Sequence, residues 1–557
     1  MIIVEDNNNI LNEQATDEEQ LENQEEIWSP HQPKPKPLFE LTKGDNLFAI
    51  CMLVASIFLS VFGIFGGFSF GYLISMVMFI SVFTVYFIKC KNISIFPLLC
   101  IALSLGNSAV FITTTNGSVK FFGVVISFML LVVGTYGLAF GKTAGNRATF
   151  GIIGSALSTM GNIGVSVKSL LSGSEGSKKS VGKVMLGLLC AIPVLFVVVP
   201  LLIKSDDAFS GMMSNIFNGS GNGFLTILKV VFGAVLSLFV IAYGFSLKFS
   251  RTSPAKQAKS YSIDTVCMVS FLSAIAACYL LYLFSQLAYF FSAFKGFLPN
   301  QDITYSEYAR KGFFEMCIIA VINLVLVFLS LLLAKKQDGK VSVGIRVITT
   351  FIAVFTLMII ATAISKMVLY ISEYGMTILR ITTSAFMVFL AVTFLAVILR
   401  IYLNNINIVK TTLVTAGIIV LVLGTVNVNS VCAKYNYNAY KSSATDKIDV
   451  EAMYNLGDEG VPYLAKLACS KNKEVANDAK HYLAKAYMED YFVNMHFAEG
   501  FDTKALKQRQ KYKSFSYFSL PQSRAYNVLY AFLDKNPQFD KVCLEYYSSR
   551  DSIYDLW

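Results

Sequence analysis

The sequence predicts an all-α protein: a polytopic transmembrane helix bundle of about 11 spans, followed by a small extracytoplasmic α-helical domain. Three observations predict it. Apolar runs long enough to cross a bilayer recur through residues 43–433. Only 15% of the 557 residues are charged, against 55% hydrophobic and 14% aromatic, whereas a soluble chain carries about 25% charged residues. Beyond residue 433 the apolar runs stop and short amphipathic stretches replace them.

Residues 1–42 read as a disordered, acidic cytoplasmic tail. Residues 1–29 carry nine acidic side chains and neither Lys nor Arg, which leaves nothing to bury. Pro30, Pro33, Pro35 and Pro37, with Lys34 and Lys36 between them, form an extended spacer. Spans follow at 46–66, 68–88, 93–113, 120–140, 183–203, 224–247, 264–294, 313–334, 342–370, 378–402 and 410–432, with Gly66-Gly67 tightening the first hairpin. Residues 151–171 alternate apolar and polar positions at helical spacing. They predict an amphipathic helix on the inner membrane surface; the alternative is a twelfth span. Residues 434–557 form the last domain. Asp449–Cys469 and Val475–Tyr491 have helical spacing, Gly457 and Gly460 interrupt the first, and residues 502–557 read as helical.

The formal charge of +10 conceals a split: residues 30–433 carry 29 basic and 11 acidic side chains, and residues 434–557 carry 17 and 16. The basic surplus therefore sits in the membrane loops, where it sets orientation rather than binding nucleic acid. With the N-terminus inside, 21 basic residues fall in inner loops and seven in outer loops. That ratio predicts a plasma-membrane protein with a cytoplasmic N-terminus. An odd number of spans then places the C-terminal domain outside.

Three outer junctions hold most of the acidic side chains near the bilayer: Lys204–Phe209, Thr304–Glu315 and Glu373–Arg380. An ionised group at mid-bilayer costs about 2.5–3.5 kcal/mol on insertion scales, so such groups pair or face water. The expectation is one network of Asp206, Asp207, Tyr305, Glu307, Arg310, Glu315, Lys366, Glu373 and Arg380 that binds a small polar solute or a lipid headgroup. Polar stripes extend it inward: Thr362, Lys366, Tyr370 and Glu373 on one helix; Tyr279, Tyr282, Gln286 and Tyr289 on another; Lys229 and Asn323 on two more. A structural salt-bridge clamp and a partner-protein contact surface are the other readings of the same charges. No catalytic constellation is present: the three His (His31, His481, His496) lie apart, there is no phosphate loop with its Lys, and the ten Cys show no metal spacing, so neither metal nor cofactor is expected. A Cys469–Cys543 disulfide is left open, and Gly137, Gly141 and Gly145 read as helix packing.

These junctions resemble a bacterial integral membrane family known only as a domain of unknown function, the 4153/4173 group. Thr304–Glu315 resembles its Thr-Tyr-x-x-Tyr-x-Arg-x-Gly-Phe-x-Glu element, and Tyr374–Arg380 its Tyr-Gly-Leu-Thr-x-x-Arg element. Lys204–Phe209 is similar to its Ser-Ala-Asp element, with Asp206 where Ala stands. Val426–Asn436 is similar to its Asn-Pro-Asp element, with Val428 for Pro and Asn429 for Asp. Gly457–Leu467 and Ser519–Ala525 are similar to its outer-domain elements, so the resemblance covers roughly residues 180–530. It implies a multi-span membrane core and brings no reaction. Three functions follow as expectations: binding or transport of a small polar or lipid-derived solute; a non-transporting sensor or scaffold whose outer domain meets an envelope protein; and, third, an envelope-modifying enzyme.

Overall fold

The computed structural model describes residues 42–87, 95–140, 222–250, 263–295, 313–337, 340–403, 406–442, 448–492 and 518–536, with isolated positions around 198–209 and 538–543. The tail before residue 42, the amphipathic stretch at 151–171, the span expected at 183–203, and Asp207, Tyr305, Glu307 and Arg310 lie outside them.

Ten helices among the described residues are long and apolar enough to cross a membrane, which makes this a multi-pass membrane protein. They are α1 (Lys43–Phe58, continued by a π-helical turn, Leu59–Ile64), α2 (Phe70–Phe87), α3 (Ile95–Thr113), α4 (Gly117–Phe140), α5 (Asn222–Ser250), α6 (Thr265–Lys295), α7 (Phe313–Leu333), α8 (Val343–Tyr374), α9 (Ile378–Tyr402) and α10 (Ile408–Val426). Two-residue strands, Lys336–Gln337 and Lys340–Val341, pair antiparallel in the α7–α8 turn. Nine of the expected spans stop within about four residues of these limits. The last does not. The run 410–432 reads as one span, but the helix breaks at Asn427, and α11 (Val428–Lys441) starts in a new direction across the boundary expected at residue 433. No Pro marks that break, and the nearest Gly, Gly424, sits three residues before it inside α10, so hydropathy alone runs through it.

The helices form two lobes. In the first, α1 packs on α2 and α5, α2 on α3, and α3 on α4; Phe48, Phe79, Phe83, Tyr136 and Phe245 fill its centre. In the second, α8 is the axis, touched by α6, α7 and α9 around Phe355, Ile359 and Phe394. Helix α10 joins them, packing on α9 on one side and on α3 and α4 on the other. Its approach to α3 is close enough that a Cβ on Gly424 would lie 1.9 Å from Val110 Cγ1.

Lipid offers the backbone and the polar side chains no partners, so buried polar groups bond within the protein. In the first lobe Tyr72 and Ser127 share a hydrogen bond of 3.0 Å, Ser104 donates to the Ser127 carbonyl at 2.8 Å, and Asn107 donates to the Gly417 carbonyl of α10 at 3.0 Å. In the second, Tyr279 of α6 donates to Asn323 Oδ1 at 2.5 Å, and Asn323 Nδ2 donates to Thr356 of α8 at 2.9 Å. Tyr279, Asn323 and Thr362 thus turn inward as their stripes predict, while Tyr282 stays 36% exposed.

The bundle end where α1 begins is held by Asp45. It is fully buried and accepts hydrogen bonds from the Thr42 N–H and hydroxyl, both at 2.8 Å, from Tyr86 of α2 at 2.5 Å and from Lys248 of α5 at 2.5 Å. One carboxylate therefore caps α1 and gathers the ends of three helices. This clamp falls outside the three junctions singled out from the sequence.

The C-terminal helices are α12 (Val450–Tyr454), α13 (Val461–Leu467), α14 (Lys473–Phe492) and α15 (Leu520–Lys535), with a 3-10 turn at Gly457–Glu459. Asp449 caps α12 through the Ala452 N–H at 2.8 Å, and Pro462 and Pro521 sit in the first turns of α13 and α15, where a missing N–H does no harm. Their core of Met453, Leu464, Leu483 and Leu529 is continuous with Val110 of α3 and Val119 of α4, so these helices rest on the bundle. Cys469 is exposed and Cys543 buried, and no disulfide joins the two.

Tyr86→Phe is expected to lower the unfolding free energy of the detergent-solubilised protein by about 1.5–3 kcal/mol, the worth of a hydrogen bond to a charged group. A thermal or denaturant midpoint equal to that of the unsubstituted protein would show that Asp45 does not hold these helix ends together.

Candidate functional site

Polar side chains converge at the opposite end of the bundle, where α3 turns into α4 and α10 gives way to α11. Asn116 caps α4, accepting from the Val119 N–H at 2.9 Å, and its amide donates to Asn429 Oδ1 at 2.7 Å. Asn429 in turn donates to the Leu456 carbonyl at 2.9 Å. Asn427 sits in the left-handed region at φ 56°. Its side chain accepts from the Ser430 N–H at 3.1 Å to cap α11, and donates to the Thr113 carbonyl at 2.6 Å and to Glu459 Oε1 at 3.1 Å.

Glu459 is the centre of this arrangement. It is 3% exposed, carried by the 3-10 turn between α12 and α13. Oε1 also accepts from the Thr115 N–H at 2.9 Å, and Oε2 accepts from the Thr115 hydroxyl in a short hydrogen bond. Lys120 of α4 lies within electrostatic reach of Glu459 and Asp458. A buried carboxylate is tolerated when donors surround it, and here both oxygens have them.

Helix α11 carries the same logic to the second lobe. Asn436 donates to the Met376 carbonyl and accepts from the Met376 N–H, both at 2.8 Å. This clasps the α8–α9 turn, where Gly375 has φ 75° and a Cβ would meet Asn436 Oδ1 at 2.8 Å. Only glycine suits both the backbone angle and that space. Arg380 closes the turn from the other side, donating to the Tyr374 carbonyl at 3.0 Å and to the Gly375 carbonyl, with its guanidinium 4.0 Å from the Tyr370 ring centroid. Between the two clasps, burial pushes the Cys432 thiol up to about 12, against the pull of the Arg380 charge, so the thiol stays protonated.

Of the nine residues expected to form one network, five are described. Asp206, Glu315 and Glu373 are exposed; Lys366 is half-buried in α8; Arg380 is half-buried and bound to the α8–α9 turn. The polar centre that the structure does bring together consists of Thr115, Asn116, Asn427, Asn429 and Glu459, while Asn436, two turns along α11, and Arg380 form a separate clasp on the α8–α9 turn. Single-sequence reading passed over all of these but Arg380 because neutral Asn and Thr stand out little in a hydropathy scan, and Glu459 lies beyond the last span. The available signal was the pair of segments Val426–Asn436 and Gly457–Leu467, already similar to family elements.

A sequence profile for a family described as a domain of unknown function, DUF4153, matches residues 76–467. The chain belongs to the DUF4153 family. No curated protein and no solved structure matches it. The DUF4153 match begins within α2 and ends with α13, so it starts well before the expected residue 180 and leaves Ser519–Ala525 outside. Every residue of the polar centre falls inside the DUF4153 region, whereas Asp45 does not.

Truncating Thr115→Val or Glu459→Ala leaves buried donors or acceptors without partners, at about 1–3 kcal/mol for each group stranded. In a double-mutant cycle on the full chain the two substitutions are expected to couple by about 0.5–3 kcal/mol, the range for directly interacting residues. Additive losses would remove Glu459 as the link between the C-terminal helices and the α3–α4 turn.

Proposed function

We propose that this DUF4153 protein is a non-transporting membrane sensor or scaffold, in which the C-terminal helices meet an envelope component and α11 couples them to both lobes. The observation that carries this reading is that both oxygens of Glu459 are engaged by groups of the chain itself. Its two oxygens are spent on Thr115 and Asn427, so it serves as a latch between segments rather than as a ligand for a solute. Asn436 and Arg380 likewise spend their hydrogen bonds on the backbone of the α8–α9 turn.

The sidedness belongs to the same proposal. Phe140 ends α4 at the bundle end that holds Asp45, because Gly137 packs on Pro97 at the start of α3. Helix α5 opens at the other end, since Lys248 near its close meets Asp45 and the Lys229 carbonyl near its start meets Ser60. The chain therefore changes sides between α4 and α5, as one crossing at 183–203 would provide. With the basic loops inside, the Glu459 end and the C-terminal helices face the outside of a bacterial plasma membrane.

The solute reading keeps one supporting observation. Glu315 and Glu373 stay exposed at the start of α7 and the end of α8, which share the Glu459 end of the bundle. The two readings separate by complementation of whatever growth defect follows loss of the gene. Sensing predicts full complementation by Glu315→Gln and Glu373→Gln and none by a chain ending at Ser442; a solute site predicts that the two substitutions abolish it. The native Cys469, exposed beyond α13, is expected to react with a membrane-impermeant thiol reagent on intact cells. Reaction only after lysis would reverse the orientation.

A further inference from the structure

We infer that the α10–α11 break is a conditional kink: a two-state element held bent by side-chain bonds, able to straighten into one helix when the Glu459 latch is released. The inference rests on the coupling role proposed above and names its moving part.

Sharp helix bends ordinarily have a covalent cause, a Pro or a Gly, or a side chain inserted in the ladder. Residues 425–441 contain neither Gly nor Pro, and Gly424 just before them stays within α10 without a positive φ, so it does not make the turn. Asn427 nevertheless adopts φ 56° and ψ 85°, a left-handed conformation that costs free energy for any residue with a Cβ, though less for Asn than for most. The compensation comes from elsewhere in the chain. Asn427 holds the Thr113 carbonyl, the Ser430 N–H and Glu459, and Asn429 holds Asn116 and the Leu456 carbonyl. All but the Ser430 cap reach to the α3–α4 turn or to the C-terminal helices. A straight helix would forfeit them, recover the backbone bonds that the break leaves open, and remove the left-handed residue.

The two arrangements thus differ by these hydrogen bonds and by the burial of Val428, Cys432 and Ala433 against the C-terminal core, a balance that a partner bound to those helices can shift. Straightening would swing Asn436 away from Met376 and uncover Cys432, now fully buried between α11 and the C-terminal core. A partner acting on the C-terminal helices would in this way reach the α8–α9 turn of the second lobe through one rigid segment.

Cys432 reports the change directly. The full-length protein in lipid nanodiscs is treated with N-ethylmaleimide, and labelling of the Cys432 peptide is followed by mass spectrometry, with the exposed Cys469 as internal standard. Glu459→Ala is expected to speed Cys432 labelling by about tenfold or more, a decade in the population of the open state. Adding Val428→Pro is expected to return it to the slow rate. Proline suits the first position of a helix, keeps its predecessor out of the right-handed helical region and cannot lie inside an uninterrupted helix, so it enforces the bend without the latch. No acceleration in Glu459→Ala overturns the inference. So does acceleration that Val428→Pro fails to reverse, because the C-terminal helices would then be leaving with the bend intact. That second outcome leaves the sensor reading standing; loss of the sensor reading is decided by complementation alone.

Discussion

Hydrocarbon supplies no hydrogen bonds, and the architecture follows from that refusal. Most polar atoms drawn into the bundle find a partner in the chain itself; among the described residues Ser56 Oγ, Asn107 Oδ1, Arg346 Nε and Thr412 Oγ1 are buried without a hydrogen bond. Tyr279, Asn323 and Thr356 satisfy one another across three helices of the second lobe, and Tyr72, Ser104, Ser127 and Asn107 do so in the first with the help of backbone carbonyls. Where a full charge is buried, the demand is larger and the answer more elaborate. Asp45 gathers a helix cap, a phenol and an ammonium; Glu459 gathers a backbone N–H, a hydroxyl and an amide. Each carboxylate ties together segments distant in sequence, because no single helix can present enough donors to it.

The two clamps differ in what they tie. Asp45 joins α1, α2 and α5, all in the first lobe, and acts within one packing unit. Glu459 joins the C-terminal helices to the α3–α4 turn and to the residue at which α10 becomes α11. Helix α10 is the element that packs against both lobes, and α11 continues from it to clasp the α8–α9 turn. One short helix thus connects the Glu459 cluster to a turn on the other lobe, the path along which the proposed coupling would run. This is an arrangement suited to coupling.

Sequence reading found some of this and missed the rest for a definable reason. Hydropathy sums over a window, so it located long apolar helices well and placed the ends of most within a few residues. It is blind to a bend made by side-chain bonds: Val426, Val428 and Val431 on either side of Asn427 keep the running average high. Charge reading pointed to Asp206, Glu315 and Glu373, which are exposed, and found Arg380, whose partners turned out to be carbonyls rather than carboxylates. Asn116, Asn427, Asn429 and Asn436 carry no charge and no hydropathic signature that separates them from loop residues.

Composition and periodicity by themselves determined that this chain lives in a bilayer as a multi-span helical bundle followed by amphipathic helices, since burial of an apolar run about 20 residues long is a local property of the run. Only the tertiary structure decided that the bundle has two lobes bridged by α10, that the last span breaks at Asn427, and that a carboxylate beyond the membrane helices closes the polar centre. Those features depend on which donors meet which acceptors across hundreds of residues, and hydrogen bonding is directional and short-ranged, so nothing in the linear order of residues announces it.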